Sequence, residues 1–122
     1  MNTNDIESEE DIKQLVDHFY TKIRKDELLA PVFSAIIKDN WDNHLHIMCN
    51  FWSTILLYSK KYTSDPMYKH MAMPVEKKHF DRWLQLFEVS VDELFSGEKA
   101  EEAKKRANNI ARVMQSMKNN SL

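Results

Sequence analysis

Apolar residues recur along this chain at steps of three and four, a spacing that places them on one face of an α-helix. The first such run starts at Ser8 and continues to about Lys25. Three acidic residues follow Ser8, which is typical of a helix start because a hydroxyl can accept from the free backbone N–H groups there. The pattern predicts one buried stripe made of Ile12, Leu15, Val16, Phe19, Tyr20 and Ile23.

Two short helical segments are also predicted. One spans Pro31 to Ile37, and the other spans Pro66 to about Met71 and is stopped by Pro74. Asp65 before Pro66 is typical of an N-cap followed by proline at the first helical position. A helix as short as the second is marginal by itself, so we expect another contact to hold it.

Three more long helices follow from the same periodicity. The first is capped by Asp39 or Asn40, the second begins at about Val75 and is broken by Ser96-Gly97, and the third follows that break. Residues 1–7 and 118–122 are expected to be loose tails of a single domain that covers residues 1–122. The apolar stripes of the three helices contain Trp41, His44, Leu45, Met48, Phe51, Trp52, Ile55 and Leu56, then Phe80, Trp83, Leu84, Phe87, Val91 and Leu94, then Ala100, Ala103, Ala107, Ile110, Ala111, Met114 and Met117.

Composition narrows the class of protein. A chain of 122 residues has the size of one domain that can bury a core without disulfides. Its single glycine disfavours β-hairpins and excludes glycine-rich phosphate loops. The net charge of −2 predicts no binding to nucleic acid or to a membrane surface. An all-α protein is therefore expected, with bundle packing and globin-like packing both open.

The N-terminus and the cysteine content predict a cytoplasmic location. Cys49 is the only cysteine, which excludes an internal disulfide. The first residues are acidic and contain no apolar core of a signal peptide. No apolar run approaches the roughly 20 residues that span a bilayer.

Two histidines are the unusual feature of the apolar stripes. His44 lies one turn from both Trp41 and Met48, so it should point inward, whereas His46 should face solvent. His70 lies on the short segment between two prolines, where a metal–imidazole bond would explain how that segment is held. Each also has an ordinary interpretation, His44 as a hydrogen-bonded core histidine and His70 as a loop residue.

Two polar aromatic residues join the inward histidines. Tyr20 and Trp83 lie on predicted buried stripes, where each would need a partner for its O–H or N–H group. They could equally be core aromatics bonded to the backbone. His18 and His79 flank apolar stripes and are expected at the surface. We find no catalytic triad and no zinc-ligand spacing. The two inward histidines, the two polar aromatic residues and the apolar stripes are residue types from which a haem pocket can be built.

The order of these residues resembles the truncated haemoglobins, most closely their group III branch, from about residue 8 to about residue 118. The sequence lacks the paired-glycine motifs of the other two groups, and this absence fits group III. The resemblance implies a truncated globin fold, in which helices pack two over two around haem. The motifs that carry it are Tyr20, Phe33, Trp41-x-x-His44, Asn50-Phe51-Trp52, Lys69-His70 and Trp83-x-x-x-Phe87, together with Phe19-Tyr20-x-Lys22-Ile23-Arg24-Lys25-Asp26.

The same resemblance implies roles for individual residues around haem b. His70 matches the proximal histidine that ligates the iron, and Lys69 matches a position that can meet a haem propionate. Tyr20, His44 and Trp83 match the distal positions. The positions that wall the pocket in the family are matched here by Phe33, Met48, Phe51, Trp52 and Met71. No catalytic residue is assigned, and His44 is left open as a gate, a hydrogen-bond donor or a sixth iron ligand.

The function implied by the resemblance is reversible binding of dioxygen, carbon monoxide, nitric oxide or a similar small ligand at ferrous iron. Enzyme activity is left open. Dioxygenase-like chemistry on nitric oxide, or peroxidase-like chemistry, would need an external reductase, because the chain has no flavin or nicotinamide motif of its own. The alternative is a haem-free helical interaction or sensor domain of globin shape.

Overall fold

Five helices make up most of the described chain. The computed structural model describes residues 3–58 and 76–120, with side chains as far as residue 116. Within these ranges lie α1 (Glu9–Lys25), α2 (Ala30–Ile37), α3 (Trp41–Leu57), α4 (Lys77–Leu94) and α5 (Glu98–Asn120). The four long helices and the first short one are confirmed. The second short helix, predicted from Pro66 to about Met71, lies outside the described residues.

Helix α1 is the central element of the packing. It packs against α3 on one side and α4 on another, and α4 packs along α5. The short α2 packs on α1, and α3 also contacts α5. The helices therefore form two pairs, α1 with α3 and α4 with α5, which confirms the all-α, two-over-two arrangement. None of the described helices is long and apolar enough to cross a membrane.

The core is built from the predicted stripes. Phe19 of α1 and Phe87 of α4 are almost completely buried, as is Leu56 of α3. On α5 the buried positions are small, which lets its backbone approach α4 closely. They are Ala100, Ala103, Ala107 and Ala111, followed by Met114.

The two N-termini in the α1–α3 pair differ in how they are capped. Ser8 Oγ accepts from Asp11 N, and Asp11 Oδ2 accepts from Ser8 N, both at 3.2 Å. This reciprocal pair is a capping box, so the predicted start of α1 is confirmed. Asn40 occupies the N-cap position of α3, but its side chain makes no capping hydrogen bond. The first turn of α3 therefore depends on other contacts.

Residues 3–6 are anchored, which corrects the expectation of a loose tail over residues 1–7. Asn4 forms a short parallel bridge with Phe95 at the end of α4, and Ile6 is fully buried. A segment this short shows no periodicity, so only its tertiary contacts reveal its role. At the other end, α5 continues to Asn120, past the start of the expected C-terminal tail.

The carboxylate of Asp5 caps α5 from outside the helix. Oδ2 accepts from Lys99 N at 3.0 Å, and Oδ1 accepts from Ala100 N at 2.9 Å. Burial alone would raise the pKa of Asp5, but the backbone donors Lys99, Ile6 and Ala100 and the charge of Lys99 lower it overall. The preceding Gly97 has φ of +131°, and a Cβ there would lie 2.5 Å from Asp5 Cγ. Glycine leaves room for this cap.

Asp26 ties the corner between α1 and α2 to α4. Its Oδ2 accepts from the N–H groups of Leu28 and Leu29 at 3.2 and 3.0 Å, and its Oδ1 accepts from Arg82 Nε at 2.7 Å. The Asp26 side chain is 6% exposed, whereas that of Arg82 is 38% exposed. Burial alone would raise the pKa of Asp26, but the bonds from Arg82 and the two N–H groups lower it below its ordinary value.

The expectation that His79 lies at the surface is wrong. His79 is buried, because it is the third residue of α4 and its Nδ1 accepts from Glu76 N at 2.9 Å in a second reciprocal capping arrangement. His18 is partly exposed as predicted, and its Nε2 lies 2.8 Å from Glu93 Oε1. His46 is exposed, which is also as predicted.

Removing the Asp5 cap should destabilise the fold. We expect Asp5→Ala to cost about 0.5–2 kcal/mol, because two helix N–H groups lose their acceptor. Gly97→Ala should also destabilise, because its positive φ and the contact with Asp5 strain any side chain. Urea unfolding measures both variants. Glu7→Ala removes an exposed carboxylate two residues away and is the matched control; equal stability of Asp5→Ala and Glu7→Ala would contradict the cap.

Removing the Asp26 charge should weaken the fold at neutral pH and not in acid. A folded pKa below the unfolded value of about 4 means that the ionised carboxylate stabilises at higher pH and loses its effect as the pH falls through the folded pKa. Asp26→Asn should therefore cost about 1–2 kcal/mol at pH 7. The difference from the wild type should shrink below about pH 4.

Urea unfolding at pH 7 and pH 3 measures this effect. The matched control is Asp81→Asn, which breaks an exposed pair with Lys77 on the same helix and should change stability by about 0.5 kcal/mol or less. A cost of Asp26→Asn that stays constant from pH 7 to pH 3 would rule out the charge as its cause.

Candidate functional site

Tyr20 is the centre of an aromatic cluster between α1, α2 and α3. It is 4% exposed, and its ring meets Phe19 at 5.0 Å and Phe33 at 6.2 Å between centroids. Burial raises the pKa of Tyr20 far above its ordinary value, and the nearby Cys49 adds to that rise. The phenol therefore keeps its proton at neutral pH. Within the described residues, no hydrogen-bond partner faces its hydroxyl group.

His44 joins this cluster from the first turn of α3. Its ring lies 5.1 Å from that of Tyr20, with the two planes at 86°. The His44 side chain is half-buried and its Nε2 atom is shielded from solvent. The structure thus brings together the predicted distal residues Tyr20 and His44, with the predicted wall residue Phe33 beside them. The inward direction predicted for His44 is confirmed.

Trp83 lies in a second aromatic cluster, next to the first. Its ring stacks on Phe87 at 5.9 Å, and Phe87 stacks on Trp52 at 4.9 Å. Phe19 touches Trp83 at 5.7 Å and Tyr20 at 5.0 Å, so it links the two clusters. Trp83 is therefore joined to Tyr20 through the ring of Phe19. Its indole is half-buried.

The remaining predicted wall residues of the described chain lie on α3. Met48 is buried and Trp52 is 3% exposed, while Phe51 is half-buried and meets Trp52 edge-on at 5.3 Å. They share a helix with His44 and extend its apolar lining along α3. His70, Lys69 and Met71 lie outside the described residues, so their assignments stay predictions.

Trp41 is a member of the Tyr20–His44 cluster to which the sequence analysis gave no role. Its ring lies 6.2 Å from Tyr20 and 6.1 Å from His44. The guanidinium carbon of Arg24 lies 4.6 Å from the centre of its ring. The spacing of three between Trp41 and His44 could have placed both on one face, but only packing shows that α1 meets them there.

The described residues fit the distal half of a haem pocket. The walls are aromatic and aliphatic, and the polar groups among them are a neutral phenol, an imidazole and an indole. These groups can donate hydrogen bonds and none carries a fixed charge. The Tyr20 hydroxyl makes no hydrogen bond to the described residues, so it is available to donate to a ligand. This combination suits a small neutral ligand that carries partial negative charge.

Comparison with known proteins identifies the same family. Residues 4–119 match the family model of the bacterial-like globins. The group 3 truncated haemoglobin ctb of Campylobacter jejuni is 34% identical over 114 residues, which is 90% of each chain. A crystal structure of a group III truncated haemoglobin from Campylobacter jejuni superimposes with a TM-score of 0.86 at 33% identity, and the match covers 95% of this chain and 94% of that one.

A relative from another group matches a smaller part of the chain. The group 1 truncated haemoglobin GlbN of Nostoc commune is 37% identical over 71 residues, 57% of this chain and 58% of that protein. The match to a group 3 protein covers almost the whole chain instead, in both sequence and structure. Together with the fold, these matches show that the chain belongs to the bacterial-like globin family and is a truncated haemoglobin similar to those of group III.

Proposed function

We propose that this protein binds haem b through His70 and takes a diatomic ligand on the side where Tyr20, His44 and Trp83 lie. Family membership implies a haem cofactor and a small gaseous ligand in general terms. When bound, haem supplies a ferrous iron with an open coordination position. The observation that carries the proposal is the placing of the Tyr20 side chain, which is 4% exposed, against the ring of His44, with 5.1 Å between the two ring centroids.

Tyr20 is the main donor to the ligand. Burial raises its pKa, so the O–H group keeps its proton at neutral pH and can donate a hydrogen bond. Its ring is fixed by edge contacts with Phe19, Phe33 and Trp41, which fix the direction of the hydroxyl. A fixed donor in a low-dielectric site makes a stronger hydrogen bond than the same donor in water.

Trp83 and His44 complete the proposed distal side. The indole of Trp83 can only donate, so it adds a second neutral donor on the α4 side of Phe19. His44 approaches from α3 and can donate from a ring nitrogen. Phe33, Met48, Phe51, Trp52 and Met71 would wall the haem, and Lys69 would meet a propionate.

The donor set favours some ligands over others. Dioxygen and peroxide accept hydrogen bonds from neutral donors when bound, whereas carbon monoxide accepts them poorly. The ligand class that we propose is therefore dioxygen, with redox chemistry on nitric oxide or peroxide as its extension. Steady turnover of that kind needs electrons from a separate reductase.

Haem retention should depend on His70. We expect His70→Ala to lose haem or bind it loosely, because the iron then has no strong protein ligand on that face, and added imidazole should restore part of the binding. The absorbance ratio of the Soret band to the protein band measures retention. His18→Ala and His46→Ala are the matched controls, since both side chains lie at the surface. A normal histidine-ligated spectrum in the His70→Ala protein would overturn the assignment of His70 as the iron ligand. A wild-type protein that takes up no haem would favour the alternative, a haem-free helical domain.

Oxygen release should depend on the two neutral donors. A hydrogen bond to a charged acceptor contributes roughly 1.5–3 kcal/mol, so losing one should speed oxygen release by about 10- to 150-fold. Tyr20→Phe and Trp83→Phe should each show this change, and the double variant should change by less than the product because both donors address one ligand. Carbon monoxide release should respond much less.

Ligand displacement and laser photolysis measure these rates. Phe33→Leu alters a ring that also contacts Tyr20 but removes no donor, so it is the packing control. If oxygen and carbon monoxide release change by one common small factor in Tyr20→Phe, the residue contributes packing alone and the proposed donor role fails.

A further inference from the structure

Trp41 lies between an exposed cation and the two distal candidates of α1 and α3. Its ring meets the edges of Tyr20 and His44 at 6.2 and 6.1 Å. On another side, the guanidinium carbon of Arg24 lies 4.6 Å from the ring centre. Arg24 is exposed and Trp41 is half-buried. From solvent inward, the order is therefore Arg24, Trp41 and then the Tyr20–His44 pair.

The turn that carries Trp41 and His44 has no side-chain cap. The Asn40 side chain makes no capping hydrogen bond, although its carbonyl accepts from His44 N at 3.0 Å. Trp41 is the first residue of α3, and His44 completes the same turn. A contact that holds Trp41 therefore also holds the backbone from which His44 projects.

Arg24 supplies that contact from the far end of α1. It lies in the last turn of the helix that also carries Tyr20, so the Arg24–Trp41 contact joins the end of α1 to the start of α3. A guanidinium is planar and stacks on aromatic faces. A cation over an indole face is a favourable arrangement, and tryptophan is the best of the aromatic side chains for it.

We infer that Arg24 and Trp41 form a latch that positions His44 against Tyr20 and limits ligand passage between solvent and the Tyr20 hydroxyl. Trp41 is a positioning residue that acts through His44, and Arg24 holds Trp41 in place. The inference rests on the proposed function, because Tyr20 and His44 must face the ligand for the latch to matter. The rings of Trp41 and His44 lie together beside Tyr20 at the α1–α3 edge, which is the route that the latch would restrict.

Opening the latch should speed ligand entry. Arg24→Met keeps an apolar stem but removes the cation, and we expect carbon monoxide to rebind about two- to five-fold faster, the change expected from an exposed cation–π contact. Trp41→Leu removes the ring and should have a larger effect, of about ten-fold, whereas Trp41→Phe should restore most of the wild-type rate. Lys25→Met is the matched control, because it removes a neighbouring exposed charge of the same helix end.

Four measurements on the purified protein test the latch. Photolysis of the carbon monoxide complex gives the rebinding rate, the infrared C–O stretch reports the polarity beside the ligand, and thermal unfolding by circular dichroism reports stability. Histidine-selective NMR, with His44→Gln for assignment, follows the His44 ring in each variant. Faster rebinding together with a shifted His44 resonance in Arg24→Met, and neither change in Lys25→Met, is the expected result.

Wild-type behaviour of the latch variants would overturn the latch, and so would two kinds of change in them. One is a loss of stability in Arg24→Met and Trp41→Phe with unchanged rebinding and an unchanged His44 signal, since Trp41 would then only anchor α3. The other is an equal change in Arg24→Met and Lys25→Met, which would indicate a general charge effect. Tyr20→Phe separates this inference from the proposed function: if Tyr20→Phe speeds oxygen release while the latch variants behave as the wild type, only the latch fails.

Discussion

The apolar face of α1 is buried against α3 and against α4 at the same time, and the relative positions of Tyr20, His44 and Trp83 depend on that packing. Phe19 shows it most directly, because its ring meets Tyr20, Trp83 and Phe87 at 5.0, 5.7 and 5.1 Å, each in an edge-to-face arrangement. Such pairs are favourable beyond the area they bury. Since α3 and α4 both pack on this stripe, His44 and Trp83 are positioned against the helix that carries Tyr20. A change in the packing of α1 would move Tyr20, His44 and Trp83 relative to one another.

Three charged contacts each hold the end of a helix in place. Asp5 caps α5, Asp26 bonds to Arg82 of α4, and Lys99 Nζ donates to the carbonyl of Leu56 near the end of α3 at 2.6 Å. Each contact joins segments that are distant in sequence. They keep the helices in register while the space beside Tyr20 is lined by apolar and neutral groups. Charges in that space would carry a large desolvation cost and would compete with a ligand for the donors.

The chemistry proposed for the site follows from a hydrogen-bond donor held among apolar groups. The Tyr20 side chain is 4% exposed and its ring is held by aromatic neighbours, so its hydroxyl can donate without rearrangement. A hydrogen bond made in such a low-dielectric place is stronger than the same bond in water. Burial also holds the proton on Tyr20 by raising its pKa. The Arg24–Trp41 latch would add kinetic control at the edge of this cluster.

The sequence by itself determined the helices, because each is amphipathic and its period of 3.6 can be seen in the residues alone. It also determined that Tyr20, His44 and Trp83 point inward, since they share stripes with core residues such as Phe19, Met48 and Phe87. The family could be recognised from the order of these residues.

Tertiary structure alone decided the contacts between residues that are far apart along the chain. Asp5 caps a helix that begins more than 90 positions later, so the segment that contains it appeared to be a loose tail. His79 is buried because a local cap folds it inward, although it flanks its apolar stripe. The meeting of Arg24 with Trp41, and the placing of Phe19 between Tyr20 and Trp83, depend on how helices cross. Periodicity assigns a residue to a face of its own helix, and only packing decides what that face meets.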